Sequence, residues 1–241
     1  MEVIKIKNLT KKYKSALALN NISLSIHENE LFGLLGINGA GKTTLIKILS
    51  GLINRTSGNA YIYDYDLDHI DNIKEIIDIS PQETAIALNL TVIENLKFFQ
   101  GIYNQNDKEY LLEIINRLSL NNVINKQAKT LSGGYQRRLS IAISLISKPK
   151  ILFLDEPTLG LDVISRRELW KIIKELKNKI TIILTSHYLE EIEELCDRVA
   201  ILKDGNILKV GSINDIINDS NEKNFEDAFI KIIGGDLKWK H

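Results

Sequence analysis

The sequence predicts an α/β fold in which a mainly parallel central sheet carries an antiparallel β layer and an inserted α-helical lobe. Three continuously apolar runs, at 31–35, 151–154 and 180–184, fit central parallel strands that are covered on both faces. Helical patterns at 43–52 and after Asp162 alternate with these strands, which favours an α/β architecture. The stretch from about 90 to 147 interrupts this alternation with helix signals alone.

The antiparallel β layer is predicted at the start of the chain. Ile4 and Ile6 alternate with Lys5 and Lys7, and a second alternating segment lies at 22–26. A period of two is expected of half-buried strands, so these segments indicate paired strands with one apolar face.

The helical lobe and the last elements have local signals of their own. Thr91 and Glu94 have the spacing of a capping box, and an apolar helix face follows. The members of that face are Leu111, Ile114, Ile115 and Leu118. Asp204 and Gly205 stand between the apolar runs 199–202 and 207–210, which predicts a β-hairpin. A final helix is indicated by apolar residues on one side, at Phe225, Ala228, Phe229 and Ile232.

Composition excludes several classes of protein. Lysine and arginine total 31 and balance the 31 acids, so no overall field favours nucleic acid or anionic lipid as a partner. Cys196 is the only cysteine, which rules out an internal disulfide framework and suits a reducing compartment. The charged N-terminus predicts no signal peptide, and no run of ~18 apolar residues predicts a membrane span.

A phosphate-binding loop is predicted at 36–43, where GINGAGKT matches the pattern G-x-x-x-x-G-K-[ST] after a strand and before a helix. The glycines let the backbone N–H groups surround phosphates, Lys42 neutralises their oxygens, and Thr43 offers a hydroxyl to Mg²⁺. The expected nucleotide contacts are Gly36, Asn38, Gly39, Ala40, Gly41, Lys42, Thr43 and Thr44.

Two acids follow the apolar run 151–154. Asp155 and Glu156 thus lie at the carboxyl end of a predicted central strand, where ligands of open α/β sheets bind. Asp155 is expected to hold the Mg²⁺ shell, and Glu156 to orient and polarise the attacking water. Paired acids at a strand end are often only a solvated turn, and the neighbouring phosphate loop is what favours a catalytic role.

The segment 131–138, LSGGYQRR, selects among nucleotide-binding functions, because phosphate loops also occur in GTPases, kinases and motors. It resembles the signature motif of ABC ATPases. Ser132 and the N–H groups of Gly133 and Gly134, at the start of a predicted helix, can bind a γ-phosphate. The resemblance implies that this phosphate belongs to ATP held by another copy, in a head-to-tail dimer or a pseudo-symmetric one.

Further residues match motifs of the same family, in the order usual for it, and the resemblance covers residues 2–212. The resemblance implies that Tyr13 stacks on adenine and that Asp162 is the D-loop aspartate. It matches Gln82 to the Q-loop and His187 to the switch histidine. The expected catalytic set is Glu156, His187, Lys42 and Gln82, and the expected Mg²⁺ ligands are Thr43, Gln82 and Asp155.

Two positions depart from the broadest family pattern. Tyr135 replaces a glutamine of the signature, and Val163 replaces a proline that often follows the D-loop aspartate. Neither change removes a phosphate ligand, because Ser132 and the backbone supply those contacts. The segment 135–138 looks closer to drug and peptide exporter ATPases than to nutrient importers.

The resemblance implies an ATP hydrolase, with ATP and Mg²⁺ as cofactors, that drives transport, in the export direction, through a separate transmembrane permease subunit. It implies a cytoplasmic protein, peripheral on the inner face of the cell membrane. The chain is expected to form one domain over 1–241. Its parts are a RecA-like core with the β layer at 1–89 and 148–212, a helical subdomain at 90–147 and a C-terminal helical extension at 213–241.

Three alternatives share the catalytic residues or part of them. The chief one is a soluble ABC-type ATPase that remodels a protein or assembles a cofactor without a transporter. A DNA-handling member usually carries a coiled coil or a zinc insertion, and neither appears, so no nucleic acid is expected as a partner. A non-catalytic regulatory module is disfavoured by Glu156 and His187.

Overall fold

Two β-sheets form the frame of the protein in the computed structural model, which describes residues 1–14, 16–177 and 179–234. The strands are, in chain order, β1 (Glu2–Tyr13), β2 (Ala16–His27), β3 (Leu31–Leu35), β4 (Ser57–Ile62), β5 (Tyr65–Asp66), β6 (Ile77–Ser80), β7 (Ile151–Asp155), β8 (Thr181–Ser186), β9 (Arg198–Lys203) and β10 (Asn206–Gly211). The helices are α1 (Lys42–Leu49), α2 (Ile70–Lys74), α3 (Val92–Ile102), α4 (Lys108–Arg117), α5 (Gly133–Leu145), α6 (Val163–Lys177), α7 (Leu189–Leu195), α8 (Ile213–Ser220) and α9 (Phe225–Ile232).

The larger sheet is mainly parallel, as predicted. Its strand order is β10-β9-β3-β8-β7-β6, and each neighbouring pair from β9 to β6 is parallel. Only the β9–β10 hairpin is antiparallel among the described strands of this sheet. The turn residues Asp204 and Gly205 have φ angles of 47° and 75°, the left-handed values that a tight hairpin turn requires.

Both faces of the central strands are covered, which explains their unbroken apolar runs. In β7, Leu152 and Leu154 belong to one buried cluster, whereas Ile151 and Phe153 belong to another. Successive side chains of a strand point to opposite faces, so the two clusters are the cores on the two sides of the sheet.

The smaller sheet is antiparallel, with strand order β2-β1-β4-β5. Ile4 pairs with Ile26 and Ile6 with Leu24, so the predicted alternation forms a buried face. The second pair of strands escaped sequence analysis because β4 contains Gly58 and Asn59, which are uncommon in strands. The first helix, α1, ends at Leu49 rather than at residue 52, because Gly51 adopts a left-handed φ of 71°.

The stretch 90–147, all of it described, contains α3, α4, α5 and short 3₁₀ turns but no strand, only an isolated bridge. The predicted capping box is present at the start of α3. Glu94 donates its backbone N–H to Thr91 Oγ1 at 3.3 Å, and Thr91 N donates to Glu94 Oε2 at 2.8 Å. The predicted apolar face of α4 is buried and joins the core on one side of the central sheet.

The chain after β10 forms α8 and α9, which pack against each other. Phe225 is fully buried, as the apolar pattern of the last helix predicts. Residues 235–241 of the predicted C-terminal extension lie outside the described residues.

Asp78 on edge strand β6 joins this strand to the helical stretch. Its carboxylate accepts hydrogen bonds from Tyr103 Oη at 3.0 Å, Ser147 Oγ at 2.8 Å and the Ile79 amide at 2.7 Å. Burial raises the pKa of Asp78 above its ordinary value, and the three hydrogen bonds lower it in part. Tyr103 follows α3 and Ser147 follows α5, so one half-buried acid links both helices to the sheet.

The raised pKa of Asp78 has a defined effect on stability. The folded chain holds this proton more tightly than the unfolded chain, so the contribution of Asp78 to the free energy of unfolding falls as pH rises from about 4. In Asp78→Asn this decrease is absent. Urea unfolding at intervals from pH 4 to 7 measures the difference between the two proteins.

Asp107 provides a control of opposite sign. Its hydrogen bonds from Lys148 and the Tyr110 amide lower its pKa, so it stabilises the fold above its ordinary pKa and loses this effect as pH falls. Asp107→Asn should therefore change the pH profile in the other direction. Parallel profiles for the wild type and Asp78→Asn would contradict the assignment.

Candidate functional site

The loop 36–41 connects β3 to α1 and lies against two neighbouring segments of backbone. At Gly41 the φ angle is 105°, and a Cβ atom there would lie 2.6 Å from the carbonyl oxygen of Ala18. At Gly36 a Cβ atom would lie 2.5 Å from the carbonyl oxygen of Leu202. Only glycine fits both positions, so the curled backbone expected of a phosphate loop is built into the sequence.

Lys42 is the first residue of α1, and its side chain folds back over the loop. Nζ donates to the carbonyl of Gly36 at 2.6 Å and lies 3.7 Å from Glu156 Oε1. Burial lowers the pKa of Lys42, and the nearby carboxylates of Glu156 and Asp155 raise it in part. A buried ammonium that now bonds a neutral carbonyl is available to bind the oxygens of a phosphate.

Asp155 ends β7 and is almost fully buried. Its Oδ1 accepts hydrogen bonds from Thr185 Oγ1 at 2.6 Å and from Thr43 Oγ1 at 3.2 Å. The carboxylate and the Thr43 hydroxyl are therefore adjacent oxygen donors beneath the phosphate loop.

Glu156 is held in an unusual backbone conformation. Its φ angle is 47°, in the left-handed region, which is strained for a residue with a side chain. Its amide donates to Thr185 Oγ1 at 2.9 Å, which fixes the strained peptide. Its Oε2 lies 3.0 Å from His187 Nδ1, so the predicted catalytic acid and the predicted switch histidine are in direct contact.

A cavity of about 440 Å³ lies above these residues. The predicted site residues that line it are Asn38, Gly39, Ala40, Gly41, Lys42, Thr43, Thr44, Gln82, Glu156 and His187. The chain thus brings together predicted site residues that are up to 149 positions apart, from 38 to 187. Ala18 and Leu159 also line the cavity. Neither is a predicted site residue, although Leu159 begins the segment 159–162 that matches the D-loop, and the residue type of Ala18 carries no signal.

Other predicted site residues lie outside this cavity lining. Tyr13, at the end of β1, is 44% exposed, and Lys11 Nζ lies 4.9 Å from its ring centroid. Asp162 caps α6: its carboxylate accepts from the amides of Ile164 and Ser165, each at 3.0 Å. The structure gives Asp162 a structural task, and the nucleotide contacts of Tyr13 and Asp162 stay predictions.

The signature segment begins α5. Ser132 occupies the capping position, but its side chain does not bond the first N–H groups of the helix. At Gly134 a Cβ atom would lie 2.9 Å from Ser165 Oγ, so a side chain would crowd the start of α6. Neither Ser132, Gly133 nor Gly134 belongs to the described lining of the cavity, so their phosphate contact stays a prediction for another copy's nucleotide.

Two residues near the cavity were not predicted. Thr185 bonds both Asp155 and the Glu156 amide, and the chain hints at it only through its place two residues before His187. Arg137 in α5 donates to the carbonyl of Gln82 at 2.6 Å. No sequence signal separates it from its neighbour Arg138.

The donor atoms suit Mg²⁺ rather than a metal held by the protein alone. Across 1–14, 16–177 and 179–234 no group of three or more His, Cys, Asp or Glu side chains could hold a metal ion. Mg²⁺ is commonly bound by one or two protein oxygens together with substrate phosphates and water. The Thr43 hydroxyl and the Asp155 carboxylate fit that pattern.

Comparison with known proteins identifies the family. A family model described as "ABC transporter" matches residues 19–159, more than half of the 241 residues. The chain belongs to the ABC transporter family. A second model, described as "AAA domain, putative AbiEii toxin, Type IV TA system", matches the shorter range 127–193.

The curated relatives in this family are much longer proteins. The chain is 43% identical over 225 residues to "Glucosylceramide transporter ABCA12" of Homo sapiens, covering 89% of this chain and 9% of the relative. It is 39% identical over 217 residues to "Phospholipid-transporting ATPase ABCA3" of Mus musculus, covering 87% and 13%. The chain therefore corresponds to about a tenth of these relatives' length.

Solved ABC structures share the fold over nearly the whole chain. "Structure of ATP binding subunit of ABC transporter" matches with a TM-score of 0.85 at 25% identity, covering 96% of this chain and 99% of that one. "Dimeric structure of a post-hydrolysis state of the ATP-binding cassette MJ0796 bound to ADP and Pi" has a TM-score of 0.77 at 27% identity, covering 87% and 98%. The predicted fold class and the predicted ABC-type ATPase domain are confirmed. Within the described ranges, no helix combines the length and the apolar character needed to cross a membrane.

Proposed function

We propose that this ABC ATPase domain binds ATP with Mg²⁺ in the 440 Å³ cavity and hydrolyses it to drive transport through a separate membrane-spanning subunit. The observation that carries the proposal is the cluster of Lys42, Glu156 and His187. Glu156 has one carboxylate oxygen 3.7 Å from the Lys42 ammonium and the other 3.0 Å from His187. A cation that can bind phosphate and a carboxylate that can orient water thus face the same cavity.

Each of these side chains has a distinct task in hydrolysis. Lys42 exchanges its bond to the Gly36 carbonyl for the β and γ oxygens of ATP. Glu156 orients and polarises the water that attacks the γ-phosphorus. The bond from that phosphorus to the β,γ-bridging oxygen breaks, so that ADP leaves and the attacking water oxygen becomes part of inorganic phosphate. His187 holds Glu156 through the 3.0 Å contact, and it contacts the γ-phosphate when ATP is bound.

Mg²⁺ would be held by Thr43, Asp155 and Gln82. When bound, it neutralises the charge that develops on the phosphate oxygens. Asp155 is positioned for this by Thr185, whose hydroxyl donates to Oδ1 at 2.6 Å. Gln82 lines the cavity, where its side-chain oxygen can join the metal shell.

The nucleotide-binding site is completed by a second copy of the chain. Ser132, Gly133 and Gly134 stand at the start of α5, where the partial positive charge of a helix N-terminus favours an anion. The described lining of the chain's own cavity does not include them. Solved cassettes of similar fold are named as dimeric, which supports two ATP molecules between two copies.

A substitution at Ser132 tests whether this residue contacts the ATP bound to its own chain or the ATP bound to the second copy. In Ser132→Arg, the ATP affinity of the monomer should stay within about twofold of the wild type, or about 0.4 kcal/mol, because Ser132 does not belong to the described lining of its own chain's cavity. ATP-driven dimerisation should be lost, because a bulky side chain blocks the approach of a second nucleotide. Equilibrium titration of monomers and light scattering with excess ATP measure the two quantities.

Asn122→Arg is the matched control, because it adds the same side chain to an exposed position of the helical stretch. It should dimerise like the wild type. A monomer of Ser132→Arg with greatly weakened ATP binding would mean that Ser132 serves its own chain's nucleotide. A wild-type protein that neither hydrolyses ATP nor dimerises with it would refute the proposed function as a whole.

We divide the chain into three parts. We assign 1–89 and 148–212 to the catalytic core, 90–147 to a helical subdomain and 213–241 to a C-terminal extension.

The helical subdomain carries the surface that we assign to contact with the membrane subunit. On α3 of that subdomain, Phe98 and Ile102 are 54% and 55% exposed and lie one turn apart. An exposed apolar pair of this kind supports contact with a membrane subunit on the cytoplasmic face. Relatives are named as lipid transporters, and the 135–138 pattern favours export over import.

Loss of the γ-phosphate would open the dimer. In the closed state one phosphate is contacted by His187 and Gln82 of one copy and by the Ser132 helix of the other. Hydrolysis removes that shared charge, so the closed state loses its advantage over the open one. The stretch after Gln82, through Thr91 and Glu94, carries the movement to the membrane subunit.

A further inference from the structure

The guanidinium of Arg137 lies where three parts of the protein meet. Arg137 belongs to α5, and it is only 5% exposed. Its Nη1 donates to the carbonyl of Pro81 at 2.6 Å, and its Nη2 donates to the carbonyl of Gln82 at 2.6 Å. Nη2 also lies 3.5 Å from the carbonyl oxygen of Glu156. One side chain therefore connects the signature helix to the Gln82 segment and to the catalytic acid.

The contacts of Arg137 are made to backbone, so they position other residues without competing for nucleotide. Gln82 and Glu156 both line the ATP cavity, whereas Arg137 does not belong to its described lining. Their side chains remain free to face ATP while their carbonyls are held from behind. For Glu156 this complements the amide contact to Thr185, so both ends of a strained residue are restrained.

Burial of this cation is unfavourable on its own. Burial lowers the pKa of Arg137, and the more distant charges of Asp155 and Glu191 raise it in part. Among the ion pairs of the described residues, none within 4.0 Å includes Arg137. Removing a charge from water costs on the order of several kcal/mol per ion, and the hydrogen bonds to neutral carbonyls must offset that cost. Stability alone therefore gives a weak reason for an arginine at this position.

The next residue shows that the direction of Arg137 is specific. Arg138 follows it on α5 but points to the other side, where its Nη2 bonds the carboxylate of Glu168 on α6. Successive residues of a helix point about 100° apart. Only the first of the two arginines faces the ATP cavity from behind.

We propose that Arg137 is a positioning residue that couples the chain's own ATP site to the signature segment that serves the partner's ATP. The proposal rests on the proposed function, because it needs Ser132 to act on a second copy. Ser132 and Arg137 are joined by the rigid start of α5. When ATP draws Gln82 and Glu156 into their bound positions, Arg137 carries the same shift to α5 and hence to Ser132. By reciprocity, the partner's ATP at Ser132 favours the bound positions of Gln82 and Glu156.

Arg137→Lys tests the coupling with little change in volume or charge. A lysine ammonium is a single point donor, so it cannot bond two carbonyls in the planar arrangement of a guanidinium. The ATP affinity of the monomer should stay within about twofold, while kcat falls by about 10- to 100-fold because the catalytic groups are misplaced. ATP-driven dimerisation should weaken in parallel, and the ATP dependence of hydrolysis should lose its cooperativity, with the Hill coefficient approaching about 1.

Arg117→Lys is the matched control, because Arg117 lies on α4 and pairs with Glu113 outside the cavity lining. It should retain the wild-type kcat and dimerisation. Arg137→Gln is a second variant that keeps one amide donor without burying a charge, and it should reproduce the loss of kcat and cooperativity. Thermal unfolding of all variants identifies those that are folded.

The outcomes are distinct. A folded Arg137→Lys with wild-type kcat and dimerisation would overturn the coupling. So would a fall in kcat that merely follows an equal loss of monomer affinity, or failure of both Arg137 variants to fold, since either result would give Arg137 a local or purely structural role. Absence of hydrolysis and dimerisation in the wild type would instead refute the proposed function.

Discussion

Replacing Glu156 with glutamine should lower ATP turnover by about 10²- to 10⁴-fold, the range that a positioned acid or base contributes to catalysis. The glutamine amide keeps the shape of the side chain but loses the negative charge that polarises water. ATP affinity should be preserved or increased, because the carboxylate 3.7 Å from Lys42 no longer competes with the phosphates for this cation. Phosphate release and equilibrium ATP titration measure the two effects.

The same variant should accumulate as an ATP-bound dimer, because the nucleotide that closes the interface is no longer consumed. Light scattering after removal of free ATP would detect it. Glu109→Gln, at an exposed position in the first turn of α4, is the matched control and should turn over normally. Turnover in Glu156→Gln close to the wild-type value would exclude Glu156 as the carboxylate that orients and polarises the attacking water.

Replacing Lys42 with alanine should abolish ATP binding at ordinary concentrations. The variant removes the buried ammonium that faces the phosphate loop and leaves Glu156 without its nearest cation. Truncation of one partner in a buried charged contact costs about 2–5 kcal/mol, so the Kd should rise by about 30- to 5,000-fold. Isothermal titration with a slowly hydrolysed ATP analogue measures this change.

Lys47→Ala serves as the control for Lys42→Ala, because Lys47 lies in the last turn of the same helix and is exposed. Its affinity for ATP should be unchanged. Equal affinities of Lys42→Ala and the wild type would mean that the 36–43 loop does not bind the triphosphate. Glu156→Gln should retain binding and Lys42→Ala should lose it, so the two variants together separate catalysis from affinity.

The strained φ angle of Glu156 gives these predictions a structural basis. A residue with a side chain at φ 47° persists because its surroundings hold it there. Thr185 bonds its amide, and His187 contacts its carboxylate. These contacts hold Glu156 in place, which reduces the reorganisation needed during the chemical step.

The fold class and most of the chemistry could be predicted from the order of the residues alone. Continuous apolar runs identified β3, β7 and β8, because strands covered on both faces need apolar residues at every position. The phosphate loop was readable because its conformation depends on glycines at fixed spacing, as the contacts at Gly36 and Gly41 show. Local patterns of this kind encode local geometry, so they can be interpreted without knowledge of the rest of the chain.

The contacts between distant residues could not be predicted in this way and became known from the folded chain. It brought His187 within 3.0 Å of Glu156, joined Thr185 to the Asp155 carboxylate and the Glu156 amide, and turned Arg137 rather than Arg138 towards Gln82. It also showed that Asp162 caps a helix. Such contacts depend on strand order and on the rotation of α5 about its axis, and neither leaves a periodic trace in the sequence. Hydrogen bonds between separate elements are fixed by packing over the whole molecule, whereas turns and apolar faces are fixed by neighbours along the chain.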